Sequence, residues 1–188
     1  MNVEEILGVK TKSYLKAIVY VSSTGFTERY AKMLSNEIGI PAYPLTDAPN
    51  HINEGDGIIF MGWVNKLKVT GYQKAAKVYN IIAVCAVGMS SYSFDRTIEV
   101  RDNNGIEDAE VFWLQGGFDI NKLPAFTKFL MKIGTKALIK ELSKKAESKG
   151  LSYDEEEALE IYKNGGDFVS MENLNPVLDW IRNNFKKN

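Results

Sequence analysis

The stretch most informative about the architecture reads Ala17-Ile-Val-Tyr-Val21, followed directly by Ser22-Ser-Thr-Gly-Phe-Thr27. The first five residues are apolar, β-branched or aromatic, which predicts a buried strand. Apolar side chains then recur at helical spacing over Tyr30–Ile38, and Gly39 is a typical helix stop. The segment therefore predicts a strand, a polar turn and a helix in immediate succession.

Three later apolar runs predict further buried strands, namely Gly57–Gly62, Ile81–Val87 and Ala109–Gln115. A weaker run over Ala42–Leu45 contains two prolines, which favours an edge strand. A loop over Trp63–Thr70 and a helix near Tyr72–Tyr79 separate two of these strands, whereas a loop or hairpin is expected between Phe94 and Glu110. Strands that alternate with helices are typical of an α/β parallel sheet.

After Gly117 the sequence predicts helices alone. They cover Leu123–Leu142, Asp154–Tyr162 and an amphipathic terminal segment, Met171–Phe185, with Ser170 as its N-cap. We find no linker and no repeat, so the whole chain, residues 1–188, is expected to form one domain. Its core is expected at about residues 16–186, with a helical excursion at about residues 118–166.

The composition excludes several classes of protein. The 188 residues carry 23 basic and 24 acidic side chains, which argues against a nucleic-acid-binding protein. With only one histidine, His51, and one cysteine, Cys85, neither a disulfide nor a thiolate metal cage is expected. The N-terminal segment has no apolar signal region, and no run of 18 apolar residues occurs. The sequence therefore predicts a cytoplasmic location.

The turn Ser22–Thr27 has the chemistry of a phosphate-binding loop. It leads into a helix N-terminus, where unpaired amides and the positive end of the helix dipole favour an anion. Its hydroxyls add donors, and Gly25 permits close approach of the backbone. No basic residue lies between Lys16 and Arg29, unlike a Walker loop, which requires lysine. The alternative is a simple capping turn in which Ser23 or Thr24 caps the helix.

The turn also matches the flavodoxin pattern [Ser/Thr]-x-Thr-Gly-x-Thr at the expected place after the first strand. Over about Lys16–Phe185 the chain resembles a flavodoxin-like domain. The resemblance implies a five-stranded parallel, doubly wound sheet of order 2-1-3-4-5, with helices on both faces and an extended helical C-terminal region. It implies electron transport by bound FMN, with the phosphate held by the turn residues Ser22, Ser23, Thr24, Gly25, Phe26 and Thr27.

Two further loops would then hold the flavin ring. Trp63 is the candidate for stacking on the ring, and Tyr92 is the candidate for its outer face. The alternatives are that Trp63 is ordinary core and Tyr92 an ordinary surface tyrosine. Gly116 and Gly117 either let the backbone approach the cofactor or merely turn the chain. The remaining candidates in these loops are Val64, Asn65, Gly88 and Met89.

The resemblance leaves the activity open between three possibilities. Typical flavodoxins are strongly acidic, whereas this chain has a net charge of −1. The region after Phe118 also resembles the menaquinone-dependent protoporphyrinogen oxidase branch, which implies an oxidoreductase with its own organic substrate and quinone as acceptor. Otherwise the partner is a redox protein. A cofactor-free binding module that kept the fold is the third possibility.

One helix carries an unusual charge pattern. Lysines recur at every fourth position along it, at Lys128, Lys132, Lys136, Lys140 and Lys144. The apolar residues Phe126, Phe129, Leu130, Ile133 and Leu138 form another side. The simplest interpretation is a solvated amphipathic helix. The functional interpretation is a docking surface for an acidic partner, an anionic membrane or a carboxylate-bearing substrate.

Overall fold

The structure, a computed structural model, describes residues 15–123 and 125–185. The first fourteen residues, where the sequence predicts no signal peptide, lie outside this part of the chain. Five strands form one parallel sheet: β1 (Leu15–Val21), β2 (Ala42–Pro44), β3 (Gly57–Asn65), β5 (Asn80–Gly88) and β6 (Glu110–Gln115). A two-residue strand, β4 (Lys68–Val69), pairs antiparallel with the end of β3.

The order of the sheet is β2-β1-β3-β5-β6, which is 2-1-3-4-5 when the parallel strands alone are counted. The predicted α/β fold with a parallel sheet is thus confirmed, and β4 is an addition to it. The central strands are buried on both faces, as their continuous apolar runs require. The proline-containing strand β2 lies at the edge, as predicted.

Helices cover both faces of the sheet. On one face, α1 (Phe26–Ile38) and α6 (Asn175–Asn184) share a core with Ile18, Met61 and Leu114. On the other face, the short α2 (Tyr72–Ala75) and α3 (Phe94–Asn104) pack over Val19, Phe60 and Trp113. Both α1 and α3 end at a glycine in the left-handed conformation, Gly39 and Gly105.

Three local predictions were wrong. The segment 94–110 contains the helix α3, whose start is capped by Ser93. The predicted loop Trp63–Thr70 is instead the end of β3 and a tight hairpin, with positive φ angles at Lys66 and Leu67. Strands also continue beyond Gly116, because β7 (Gly117–Phe118) and β8 (Gly166–Asp167) pair antiparallel.

The excursion between β6 and α6 contains a pair of helices, α4 (Ala125–Lys149) and α5 (Tyr153–Asn164). Its ends are joined by the β7–β8 pair, so the chain leaves and re-enters the body at one place. A reciprocal pair of hydrogen bonds between Ser152 and Glu155 caps the start of α5. In the described part of the chain, no helix combines the length and hydropathy that crossing a membrane would require.

Candidate functional site at the carboxyl edge of the sheet

The strand register brings the ends of four strands together at one edge. Val21 lies beside Gly62, Trp63 beside Val87, and Gly88 beside Gln115. The residues at and after these strand ends include every candidate that the sequence placed in the turn, in the two ring loops and at Gly116 and Gly117. In open parallel sheets the usual place for a ligand is this carboxyl edge, at the point between β1 and β3 where the strand order reverses.

The turn Ser22–Thr27 enters α1 through a glycine rather than through a capping side chain. Gly25 is the N-cap residue, with φ 92° and ψ −12°, and no side chain caps the helix. Its amide donates to Ser22 Oγ at 3.2 Å. The alternative that Ser23 or Thr24 caps α1 is therefore wrong. The first amides of a helix have no partner within the helix, so this end of α1 presents donors beside three hydroxyl side chains.

The last two residues of the turn have buried side chains. Phe26 is 5% exposed and Thr27 is 2% exposed. A Cβ placed on Gly117 would lie 2.8 Å from the Phe26 ring, and one on Gly116 would lie 2.7 Å from Val87. Both glycines thus have a packing reason to lack a side chain. Their predicted contact with a cofactor stays a prediction.

The tight hairpin of β3 and β4 contains the candidates of the first ring loop, Trp63, Val64 and Asn65. The Thr70 amide donates to the Trp63 carbonyl at 2.9 Å, and bonded and non-bonded pairs alternate in an antiparallel ladder. Val64, opposite Val69, therefore directs its amide and carbonyl away from β4. The Val64 side chain packs against the core beneath α2 and α3, whereas Asn65 is exposed at the hairpin.

Trp63 is partly exposed at the end of β3. It follows Met61 by two positions, so the alternation of strand side chains puts its ring on the face that carries α1. Among the described residues, Trp63 belongs to neither of the two cores. The role of Trp63 in stacking on a flavin stays a prediction.

A buried asparagine holds the hairpin in place. Asn104 Oδ1 accepts from the Val69 amide at 3.0 Å, and its Nδ2 donates to the Leu67 carbonyl at 2.7 Å. Asn104 is 3% exposed, although it is the last residue of α3. The Trp63 position is thereby set by a helix that begins 31 positions later in the sequence.

The second ring loop, Gly88–Tyr92, is held by side chains that bind its carbonyl groups. Trp113 Nε1 donates to the Ser90 carbonyl at 2.9 Å, and an Arg96 guanidinium nitrogen donates to the Ser91 carbonyl at 2.8 Å. Arg96 also lies over the Trp113 ring, 5.2 Å from its centre. Gly88 is required here, because a Cβ on it would lie 2.0 Å from Trp113.

The excursion reaches the same loop through Glu157 of α5. Its carboxylate accepts from the Ser91 amide at 2.9 Å and from Gln115 Nε2 at 3.1 Å. Arg96 adds a second link from this region, an ion pair with Asp154 at 3.0 Å. These side chains therefore hold the loop backbone in place without a ligand. Met89 is partly exposed, and the Tyr92 side chain projects from the fixed segment with 66% of its surface exposed.

A cleft of about 480 Å³ opens beside Phe26, on the side of the β7–β8 pair. Its walls include the aromatic side chains Phe118 and Tyr162, which contact each other edge to face at 5.7 Å. Lys122 and Lys163 also line it, and Lys122 Nζ lies 4.9 Å from the centre of the Phe26 ring. The tertiary structure thus brings a basic residue to the turn.

One ion pair joins α1 to this cleft. Burial raises the pKa of Asp167, but the hydrogen bonds from Arg29 and from the Val169 amide outweigh it and hold that pKa below its usual value. Asp167 is therefore ionised at neutral pH, and it partly neutralises the Arg29 charge.

The structure brings the predicted candidates to one edge, but it also adds residues that sequence reasoning missed. These are Asn104, Trp113, Arg96, Glu157, Gln115 and Lys122. Asn104, Trp113, Glu157 and Gln115 hold the loops from distant parts of the chain, Arg96 holds the Ser91 carbonyl from five positions away, and Lys122 lies over the Phe26 ring. No local motif marks them, and their spacing in sequence carries no signal.

Comparison with known proteins gives no further assignment. The chain matches no protein-family model, and no curated protein matches it significantly.

Proposed function

We propose that the chain binds FMN at the carboxyl edge of the sheet and transfers electrons, as a flavodoxin-type flavoprotein of the cytoplasm. The observation that carries this proposal is the start of α1, which a glycine opens and no side chain caps. A cap would consume the amides that a phosphate needs. Three hydroxyl residues, Ser22, Ser23 and Thr24, surround this end of the helix.

The residues present fit FMN on three further counts. A Cβ on Gly25 would meet nothing within 4 Å, so the space above the turn is open to a phosphate group. Trp63 lies beside Val87 at the end of β5, with its ring outside both cores. The loop Gly88–Tyr92 is held in one conformation by four side chains. When bound, the flavin supplies the redox chemistry.

In this proposal the protein acts by binding, orientation and exclusion of water. The α1 dipole and the turn hydroxyls hold the dianionic phosphate, and Lys122, whose ammonium group lies over the Phe26 ring, adds a positive charge near the turn. Trp63 covers one face of the ring, and Val64 offers main-chain groups to its edge. A low-dielectric stack disfavours additional negative charge on the ring, which lowers its reduction potential.

The test is a titration of the purified chain with FMN and with riboflavin, which lacks the phosphate. Each charged hydrogen bond contributes about 1.5–3 kcal/mol, so FMN is expected to bind on the order of a hundredfold more tightly than riboflavin. A yellow protein with flavin absorbance would exclude the cofactor-free module. Equal affinity for both compounds would contradict the phosphate site, and no binding of either would contradict the proposal.

A second candidate is a flavin-dependent oxidoreductase with its own organic substrate and quinone as acceptor. The cleft beside Phe26 favours it, because its volume lies within the range of small-molecule sites. Its aromatic rings suit a flat substrate, and its two lysines are matched in number by two carboxylates, Asp119 and Asp167. Turnover of a porphyrinogen with a quinone, measured beside cytochrome reduction, distinguishes this enzyme from an electron carrier with a protein partner.

A further inference from the structure

The helix α4 exposes the apolar side that an amphipathic helix normally buries. Phe126, Phe129, Leu130 and Ile133 are 75, 62, 51 and 55% exposed, respectively. Their spacing of three and four residues puts them on one face of the helix. Thr135, on the opposite face, is the one buried residue of α4. In the described part of the chain, the apolar side of α4 is thus not packed against the body of the protein.

A row of lysines borders this apolar face. Lys132 and Lys136 follow Phe129 and Ile133 by three positions each, and Lys140, eleven residues after Phe129, lies on the same side as Phe129 beyond the apolar residues. All three are exposed. From Ala125 to Lys140 the helix carries four lysines and no acidic residue, although the chain as a whole has a net charge of −1. The rest of the chain is therefore net acidic.

We propose that the apolar face of α4 docks this protein on an anionic lipid surface. The N-terminal part of α4, residues 126–133, combines aromatic and aliphatic side chains on one face with neighbouring lysines. This is the pattern of a helical segment that lies in the membrane interface, with the apolar groups between acyl chains and the ammonium groups at the headgroups. An anionic surface attracts the lysine row and repels the acidic remainder of the chain. The charge distribution thus favours α4 as the part of the protein that contacts the anionic lipid surface.

A second copy of this chain fits the same face less well. Two copies related by a two-fold axis would bury the same patch on each other. The lysine rows would then border one interface, where like charges repel at close range. Lipid headgroups supply the opposite charge instead.

The test uses flotation of the full chain with vesicles of phosphatidylcholine, alone or mixed with phosphatidylglycerol. At low salt the chain is expected to bind the vesicles that contain phosphatidylglycerol and not those of pure phosphatidylcholine. This binding should weaken as the salt concentration rises, because exposed charges are screened. Each lysine near an anionic membrane surface raises the affinity for the vesicles about fivefold. We therefore expect the affinity to fall about a hundredfold in the variant that combines Lys132→Gln, Lys136→Gln and Lys140→Gln.

Two variants complete the design. Phe129→Gln with Ile133→Gln removes apolar contact but keeps every charge, and it should weaken binding at both low and high salt. Lys16→Gln, Lys74→Gln and Lys77→Gln together remove the same charge from exposed positions outside α4, and should leave binding within about twofold. All these positions are exposed, so circular dichroism is expected to be unchanged.

Several results would overturn the proposal. They are no flotation of the unmodified chain at low salt, flotation of the lysine or the apolar variant equal to that of the unmodified chain, or a dimer in light scattering that Phe129→Gln with Ile133→Gln dissociates. The inference rests on α4 and not on the flavin site. Flavin titration is therefore expected to give the same result for all these variants, and a failure of either proposal leaves the other open to its own test.

Discussion

The carboxylate of Glu157 accepts the backbone amide of Ser91 at 2.9 Å, although the two residues are 66 positions apart. This bond ties the excursion after β6 to the loop after β5. Gln115, at the end of β6, binds the same carboxylate. One side chain of α5 thus joins two neighbouring strand ends at the carboxyl edge of the sheet.

Replacing Glu157 with Ala is expected to release the loop Gly88–Tyr92. A hydrogen bond to a charged group contributes about 1.5–3 kcal/mol, so amide exchange at Ser91 should accelerate tenfold or more. Hydrogen exchange at the Ser91 amide measures the release of the loop, and the experiment requires no flavin. Glu156→Ala, at the exposed neighbouring position, is the control. Unchanged exchange at Ser91 would contradict the role of Glu157.

Replacing Gly25 with Ala should weaken FMN binding, because its φ of 92° is unfavourable for any side chain and the turn amides must shift. Gly39, at the other end of α1, has a φ of 68° and equally open surroundings. Both variants should lose about 1–2 kcal/mol of stability. Fluorescence titration should show an affinity loss of tenfold or more for Gly25→Ala alone. An equal FMN affinity in the two variants would remove the turn from the site.

If Trp63 stacks on the flavin, its emission is quenched when FMN binds. Trp63→Ala should then raise the midpoint potential of the bound flavin, because water reaches the ring and solvates its added charge. Trp63→Phe keeps an aromatic face and should retain most of the original potential. A spectroelectrochemical titration compares the three proteins. Wild-type potential and affinity in Trp63→Ala would leave stacking to another residue.

Replacing Tyr30 with Phe should destabilise the whole fold. Tyr30 Oη donates to the Gln115 carbonyl at 2.5 Å and accepts from Asn173 Nδ2 at 2.7 Å, which joins α1, β6 and the segment before α6. The expected loss is about 1–3 kcal/mol, because two polar groups lose a partner. Tyr153, which is 73% exposed, provides the control Tyr153→Phe. Equal thermal midpoints for the two variants would contradict this role.

The thiol of Cys85 should resist alkylation in the native protein. Cys85 is fully buried in β5, and burial raises its pKa, so the reactive thiolate does not form. Raising the pH past the ordinary thiol pKa of about 8.5 should favour the unfolded chain, because only there does the thiol ionise. Alkylation of the native protein, followed by mass spectrometry, measures how accessible the Cys85 thiol is to the reagent. Rapid labelling under native conditions would contradict the burial.

Local patterns were sufficient for the sheet and for the polar turn at the end of β1. The buried strands have continuous apolar runs, α1 has apolar residues at helical spacing before Gly39, and the turn Ser22–Thr27 stands between them. Each signal acts over a few neighbouring residues, where chain geometry alone restricts the conformation. The helix α3 was missed because its apolar face is narrow, with Val100 as its only fully buried apolar residue.

The amino-acid sequence by itself determined the α/β class, the strands of the parallel sheet, the polar turn at the first strand end and the lysine row of α4. Only the tertiary structure decided that Asn104 fixes the Trp63 hairpin, that Glu157 fixes the loop after β5, and that the apolar side of α4 faces solvent. These relations depend on which distant surfaces the folded chain brings together. Burial and long-range hydrogen bonds are properties of packing, which no local spacing encodes.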